Sequence, residues 1–316
     1  MQPLMKRLSY FILCCFLPFA VLARNNIINN TGTFIKQKDS TEIFSRRICI
    51  LKITGSAFYL GMLTDLTSFS YRNNLQAQFH VYNNFTDWRL YMDKTHHAIA
   101  TYYIGNIGYS LLRWAGENER QATWIGGLSG LFLLTTQEIL DGFASKWSAS
   151  SGDMAGNLAG SAVFISQQLV WHEQRVLLRW SYHPTSFPKY NPELLGNSFT
   201  QKMIKDYNGQ TVWLSANMSS FLGRSPGILR WLNIALGYGA TGIIGPVPSP
   251  PVIRDIPIPS FEKLSKFYVA PDIDLSHIKT RSALFKWIFE AVGCLKFPLP
   301  ALEISEKGVK FHPLYF

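Results

Sequence analysis

GDMAGNLAGSAVFISQQLVW, residues 152–171, decides how the rest of the chain is read. Gly152, Gly156 and Gly160 recur every four residues. On a helix that spacing lays a glycine stripe along one face, where another helix backbone can approach closely. No charge occurs from Met154 to Trp171, and two earlier segments share this texture: Ala98–Leu112 with Gly105 and Gly108, and Gln121–Gln137 with Gly126, Gly127 and Gly130. Each is close to the shortest helix that crosses a bilayer. A soluble bundle with tight crossings and a bundle in or against a membrane both fit. Apolar residues around most of each circumference favour the membrane.

Outward from this core, Ile48–Phe69 is an apolar stretch that predicts a first helix. Lys6 and Arg7 precede an apolar run from Leu8 to Leu22, and Val21 and Ala23 stand at the −3 and −1 positions of a cleavage site. Residues 1–23 therefore read as a signal peptide, and 24–47, rich in Asn and Thr, as a flexible leader. Neither Cys14 nor Cys15 follows the small residue that lipid attachment prefers. Cleavage would leave Cys49 and Cys294, which form no disulfide framework and no zinc motif.

Beyond Tyr182 the texture changes. Thr211–Met218 and Trp231–Ala240 alternate like strands, and Lys266–Leu275 does so more weakly. The proline density of Gly245–Pro259 argues against regular structure there. Lys279–Leu295 places Ala283, Leu284, Trp287, Ile288, Ala291, Val292 and Leu295 on one stripe beside basic residues, as a helix on a membrane surface does. The fold expected is mainly α: a membrane-associated bundle of about four helices over 48–180. A small β-containing region with a proline-rich loop and an amphipathic helix follows over 181–316.

Three motifs carry candidate chemistry: Asp93-Lys94-Thr95-His96-His97, preceded by Trp88; Glu138-Ile139-Leu140-Asp141-Gly142-Phe143; and Asp153-Met154-Ala155-Gly156-Asn157. Short connections make consecutive helices antiparallel, so these motifs should meet at one end of the bundle. Asp93/His97 and Asp153/Asn157 are i,i+4 pairs and Glu138/Asp141 is an i,i+3 pair, each sharing a helix face. The cluster Asp93, Lys94, His97, Glu138, Asp141, Asp153 and Asn157 could hold a divalent cation through oxygen ligands, or work as acid and base. Lys94 could meet an anionic head group. A purely structural network fits the same residues, with Asp93 and Asp153 as N-caps and the other carboxylates paired to fix helix register. Ser145, Ser148, Ser150 and Ser151 lie nearby, but loops are commonly serine-rich.

These residues, with Trp147-Ser148 and Gly160, resemble the YfiM-like family of predicted periplasmic lipoproteins, a domain of unknown function, over roughly Phe79–Trp171. Lys205–Thr211, Trp231–Gly239, Asp272–Leu275 and Pro298–Glu303 resemble its long envelope members. Asp93-Lys94-x-x-His97 is also similar, more faintly, to VanZ-like membrane proteins. The resemblance implies an envelope location and a helical core, and no activity.

Function classes narrow accordingly. The sequence has no Gly-x-Ser-x-Gly, His-Glu-x-x-His, phosphate-binding glycine loop or Cys-x-x-Cys. A net charge of +10, with 16% charged and 14% aromatic residues, favours anionic lipid surfaces. Nucleic acid is excluded as a partner by export and by the lack of any binding motif. The expected protein is exported to the cell envelope, on the periplasm-facing side of the outer or inner membrane, with membrane lipids and other envelope proteins as partners. A structural or interaction role leads. The alternative is a membrane enzyme, or a ligand- or ion-binding protein acting on lipid or glycan head groups, with a divalent cation as the candidate cofactor. Tyr315 and Phe316 at the chain end suggest an outer-membrane β-element, but too few strands are visible to close a barrel.

Overall fold

Asn118 begins the central hairpin of the bundle. Its side chain accepts a hydrogen bond from the Gln121 backbone N–H, 2.9 Å away, and caps a helix over Glu119–Gly142. Just before it, Gly116 adopts φ +100° and closes the preceding helix, Met92–Ala115, in the left-handed conformation that glycine favours. In the computed structural model, residues 37–85, 89–222, 231–245, 252–253, 256–275, 280, 282, 289 and 292–316 are described. The helices are α1 (Gln37–Asp65, continued as a π-turn to Ser70), α2 (Met92–Ala115), α3 (Glu119–Gly142) and α4 (Ser151–Trp171). The signal-peptide expectation and most of the leader lie outside the described residues, as does Trp88. Helix α1 begins at Gln37, so the end of the expected leader is helical.

Glycine sets how closely α2, α3 and α4 pack. A Cβ on Gly130 would stand 2.5 Å from the Thr101 carbonyl oxygen, and one on Gly105 would stand 3.2 Å from the Cα of Gly127. On α4 the expected stripe faces α2: a Cβ on Gly156 or Gly160 would fall on the carbonyl of Lys94 or Ala98. Among the described residues, the helix over Glu42–Ser68 is the one long and apolar enough to cross a membrane, and almost none of it is buried in the fold.

The C-terminal half corrects the expected fold class. It holds a six-stranded antiparallel sheet: β1 (Val176–Tyr182), β2 (Gln210–Asn217), β3 (Leu232–Thr241), β4 (Leu264–Ile273), β5 (Leu299–Ser305) and β6 (Gly308–Tyr315). Neighbours in the sheet are neighbours in sequence, so the sheet is a simple meander. The chain is mixed α and β, not mainly α with a small β-containing region. Three strands hid for physical reasons. β1 follows α4 after four residues and carries an apolar run that periodicity cannot separate from helix. β5 and β6 contain Pro300 and Pro313, which count against strands; Pro313 sits where the β6 register shifts. A two-residue antiparallel pair, Val252–Ile253 with Ile256–Pro257, occurs within the proline-rich stretch. Most of the amphipathic helix expected over Lys279–Leu295 lies outside the described residues, and its described end, residues 292–295, is a turn and an isolated bridge rather than helix.

Helices and sheet meet along β1 and β2. Tyr102, Phe164 and Ile165 pack on Leu178, and Met92 packs with Tyr207, Val212, Ala240 and Ile243. The Tyr103 hydroxyl donates to the Leu178 carbonyl at 2.6 Å. The other sheet face curls around Trp213, Ala235, Tyr268, Ala270, Ala301 and Tyr315. The curl brings the hydroxyls of Thr211 on β2 and Tyr315 on β6 within 2.9 Å across three intervening strands.

Candidate functional site

Leu90 and Tyr91 both have positive φ, 49° and 63°, and lead directly into α2. Two non-glycine residues in the left-handed region cost on the order of 1–3 kcal/mol each, so the surroundings must enforce them. Two contacts do so. The Leu90 carbonyl accepts a 2.6 Å hydrogen bond from Tyr238 on β3, and Arg89 pairs with Asp93 in the first turn of the helix. The turn therefore delivers a guanidinium to the start of the first motif.

Asp93 is buried, and its other oxygen accepts a 3.1 Å hydrogen bond from Tyr207. Tyr207 comes from the loop before β2. It is fixed there by Asp206 and Asn208, the latter bonded to both backbone groups of Ile243 at 2.7 and 2.8 Å. His97, one turn along α2, places its Nδ1 2.9 Å from Asn157 Oδ1 on α4. Because that oxygen accepts, Nδ1 carries the proton and Nε2 is left to face the carboxylates. Nε2 lies 3.9 Å from Glu138 Oε1 on α3 and 3.9 Å from Asp153 Oδ2 on α4. Glu138 keeps its other oxygen on the Ser150 N–H at 2.8 Å. Lys94 approaches Asp153 Oδ1 at 3.5 Å, and Gly152 leaves the space its stem occupies: a Cβ there would stand 2.7 Å from Lys94 Cε.

Six of the seven residues singled out in the sequence thus meet at one end of the bundle. Asp141 stands one turn further along α3 and accepts a 2.7 Å hydrogen bond from Tyr71 rather than touching the others. Neither Asp93 nor Asp153 is an N-cap. The cap of α4 is Ser150, whose hydroxyl oxygen accepts from the Asp153 N–H at 2.9 Å and which donates to Asn84 at 2.6 Å. Sequence reading missed Arg89, Asn84, Tyr71 and Tyr207. Of these, Tyr207 lies within Lys205–Thr211, a segment already marked by resemblance, while Arg89 precedes Asp93 at i,i−4 spacing and was readable as its partner.

The electrostatics follow from burial. Burial disfavours ionisation of Asp93, but Arg89, helped by His97, Lys94 and His96, holds its carboxyl below the usual value. Burial alone would lower His97, yet Asp153, Asp93 and Glu138 raise it, with help from the Asn157 bond. Burial pushes Glu138 up to about 7 and Asp141 up to about 6. Counting Asp141, one turn away along α3, four carboxylates stand against Arg89 and Lys94. Fully ionised, with His97 neutral, the group carries two excess negative charges. A divalent cation or two protons would offset them.

Ligand atoms of Asp93, His97 and Asp153 all lie within 4.8 Å of one another. Carboxylate oxygens with an imidazole nitrogen are a donor set for divalent transition cations. The Asn157 bond that fixes the imidazole tautomer is the outer-shell contact such a ligand needs. The side chains are enclosed, with 14% of His97, 8% of Asp153 and 5% of Glu138 exposed. Enclosure of this degree disfavours a head group as the ligand.

Residues 82–167 match a family model described as predicted periplasmic lipoprotein (DUF2279). The matched segment contains every residue of the cluster except Tyr71 and Tyr207. The description gives a cell-envelope location and no activity, which agrees with the expected compartment. No curated protein and no solved structure matches the chain.

Proposed function

We propose that this is an exported cell-envelope protein with a structural role, whose bundle is fastened by a divalent cation held by Asp93, His97 and Asp153, with Glu138 beside them. One observation carries the reading. His97 Nε2 stands 3.9 Å from two carboxylate oxygens on two other helices while its second nitrogen is already engaged. That separation is too long for hydrogen bonds. Two ligands about 2.1 Å from a shared tetrahedral ion are about 3.4 Å apart, so His97 needs to close on Glu138 and Asp153 by about half an ångström, and Asp93, in a set spread over up to 4.8 Å, by more. The imidazole donor favours a cation of the zinc or manganese class over calcium. Such an ion would tie α2, α3 and α4 together, and through Tyr207 would couple them to the sheet.

Elemental analysis of the purified protein tests this, with Asp153→Asn as the comparison. Wild type should hold close to one equivalent of metal, lose it to a chelator with a drop in thermal midpoint, and regain both on adding Zn2+ or Mn2+. Asp153→Asn should hold little. No metal in the wild type, and no shift of its midpoint on adding either ion, would sink the proposal.

A second reading rests on Glu138, raised to about 7 beside a raised His97. A carboxyl near neutrality beside an imidazole held more basic by its carboxylate neighbours suits acid/base catalysis on lipid or glycan head groups. It requires the enclosed cluster to open, and predicts that Glu138→Gln abolishes turnover in a protein that stays folded and in place.

A further inference from the structure

The six-stranded sheet turns a row of large apolar side chains outward as well as burying a small apolar cluster within its curl. Leu214, Leu236, Val269, Leu302 and Phe311 stand side by side in register on β2 to β6, all on the outer, convex face. They are 39–60% exposed. Phe267, Ile304 and Val309 form a second exposed row beside them. On the inner face a small apolar cluster of Trp213, Ala235, Tyr268, Ala270, Ala301 and Tyr315 is interleaved with buried polar and charged side chains: Arg179 is 1% exposed, Asn233 and Asp272 0%, and Glu303 7%. Sheets in water bury their apolar face and expose the polar one. Strands that alternate apolar side chains outward, with buried polar and charged groups among the inward set, share a feature of sheets in a bilayer.

Toward β1 the same apolar face is covered, by α2 and α4 at Leu178 and by Met92 and Tyr207 at Val212. Tyr238 and Ala240, at one end of β3, lie under Leu90 and Met92, but from Leu236 on β3 across β4, β5 and β6 the apolar row is exposed. We infer that this open part of the convex face, from Leu236 on β3 to β6, contacts the acyl chains of a lipid bilayer. Four further observations favour lipid over a second copy or another protein. The face is convex, because the sheet curls until Tyr315 meets Thr211, and a fluid bilayer conforms to a convex surface more readily than a flat partner sheet does. β3 and β4 are ten residues each, a length at which tilted strands cross the hydrocarbon layer. The chain also carries an exposed apolar helix long enough to cross a membrane, and a net charge of +10 suited to anionic head groups. The inference does not depend on the cation.

Since α1 alone could hold the protein on a membrane, the test must report from the sheet itself. Leu236→Cys, Val269→Cys and Leu302→Cys, each in the full chain with its native cysteines replaced by serine, are labelled with an environment-sensitive fluorophore. The protein is then reconstituted into phosphatidylcholine/phosphatidylglycerol vesicles with plain or brominated acyl chains. Glu173→Cys, exposed in the α4–β1 connection, is the control. These side chains are surface-exposed, and an unchanged circular dichroism spectrum verifies folding. The expected result is a blue-shifted label at all three sheet positions that loses most of its emission in brominated vesicles, with Glu173→Cys showing neither change. Unquenched sheet labels on protein that still floats with the vesicles would overturn the inference, leaving α1 as the anchor. A blue shift that disappears on dilution, without quenching by bromine, would overturn it in favour of a second copy.

Discussion

His97 Nδ1 and Asn157 Oδ1 meet at 2.9 Å across the α2–α4 crossing, at the point where Gly156 brings the two backbones together. The close approach and the polar contact are one feature. Without the glycine stripe, the amide on α4 would not reach the imidazole on α2, and His97 would lose the contact that fixes its tautomer. Asn157→Ala removes that contact and leaves a buried ring N–H without an acceptor, a loss of about 1–3 kcal/mol of stability. Zinc affinity should fall roughly 10–100-fold, as for other outer-shell contacts to a ligating histidine. Competitive titration against a chelating dye measures the second effect and chemical denaturation the first.

The pH dependence of the metal-free protein has a definite sign. Glu138 rises from 4.5 to about 7 on folding, so the native state keeps a proton that the unfolded chain has already released. Stability from this group is fully present below pH 4.5 and is lost as pH climbs to 7, on the order of 3 kcal/mol in all. Asp141, raised to about 6, and His97, raised above 6.5, act in the same direction. In chelator, the urea midpoint should therefore fall between pH 5 and pH 8, and Glu138→Gln should flatten the fall. Bound cation reverses the slope, because metal competes with these same protons.

Glycine on α4 and glycine on α1 should behave oppositely. A Cβ on Gly160 would fall on the Ala98 carbonyl and the Thr101 hydroxyl, whereas one on Gly55 meets nothing within 4 Å. Gly160→Ala should lose about 1–3 kcal/mol, overcrowding outweighing its better helix propensity, while Gly55→Ala should gain up to about 1 kcal/mol. Thermal midpoints of the two variants, measured side by side, check the contrast.

How much of this was legible depended on range. Asp93, His97, Glu138, Asp153 and Asn157 are brought together by helix spacing and short connections, both of which are local, and their convergence could be read without coordinates. Tyr207 and Tyr71 arrive from distant chain positions, and nothing in their own neighbourhood says so. The sheet failed for a different reason. Leu302 and Ile304 alternate with Ala301 and Glu303, but the apolar residues are the exposed set and the glutamate is buried. A search for apolar-in strands separated by turn residues gives such a segment little weight, and Pro300 weakens it further. β6 fails the same way, with Val309 and Phe311 exposed beside Lys310 and a half-buried His312.

The buried charges of the sheet give the last prediction. Arg179 on β1 is 1% exposed and reaches Asp272 at 3.2 Å and Asp274 at 3.5 Å, beyond β2 and β3. It also donates to the Ile273 carbonyl at 2.7 Å, while Asp272 accepts from the Ser215 hydroxyl at 2.6 Å. The guanidinium therefore pins strands that are not neighbours and sets the curl of the sheet. Arg179→Ala strands two buried carboxylates and should cost about 3–5 kcal/mol, because breaking a buried pair leaves its charge uncompensated. Arg179→Lys keeps the charge but not the planar fork that spans two carboxylates and a carbonyl, so it should recover only part of the loss. Adding Asp272→Asn to Arg179→Ala removes one of the stranded charges and should restore stability relative to the single variant. Denaturation midpoints of the four proteins decide it. If the double variant is no more stable than Arg179→Ala, the guanidinium acts through packing rather than charge.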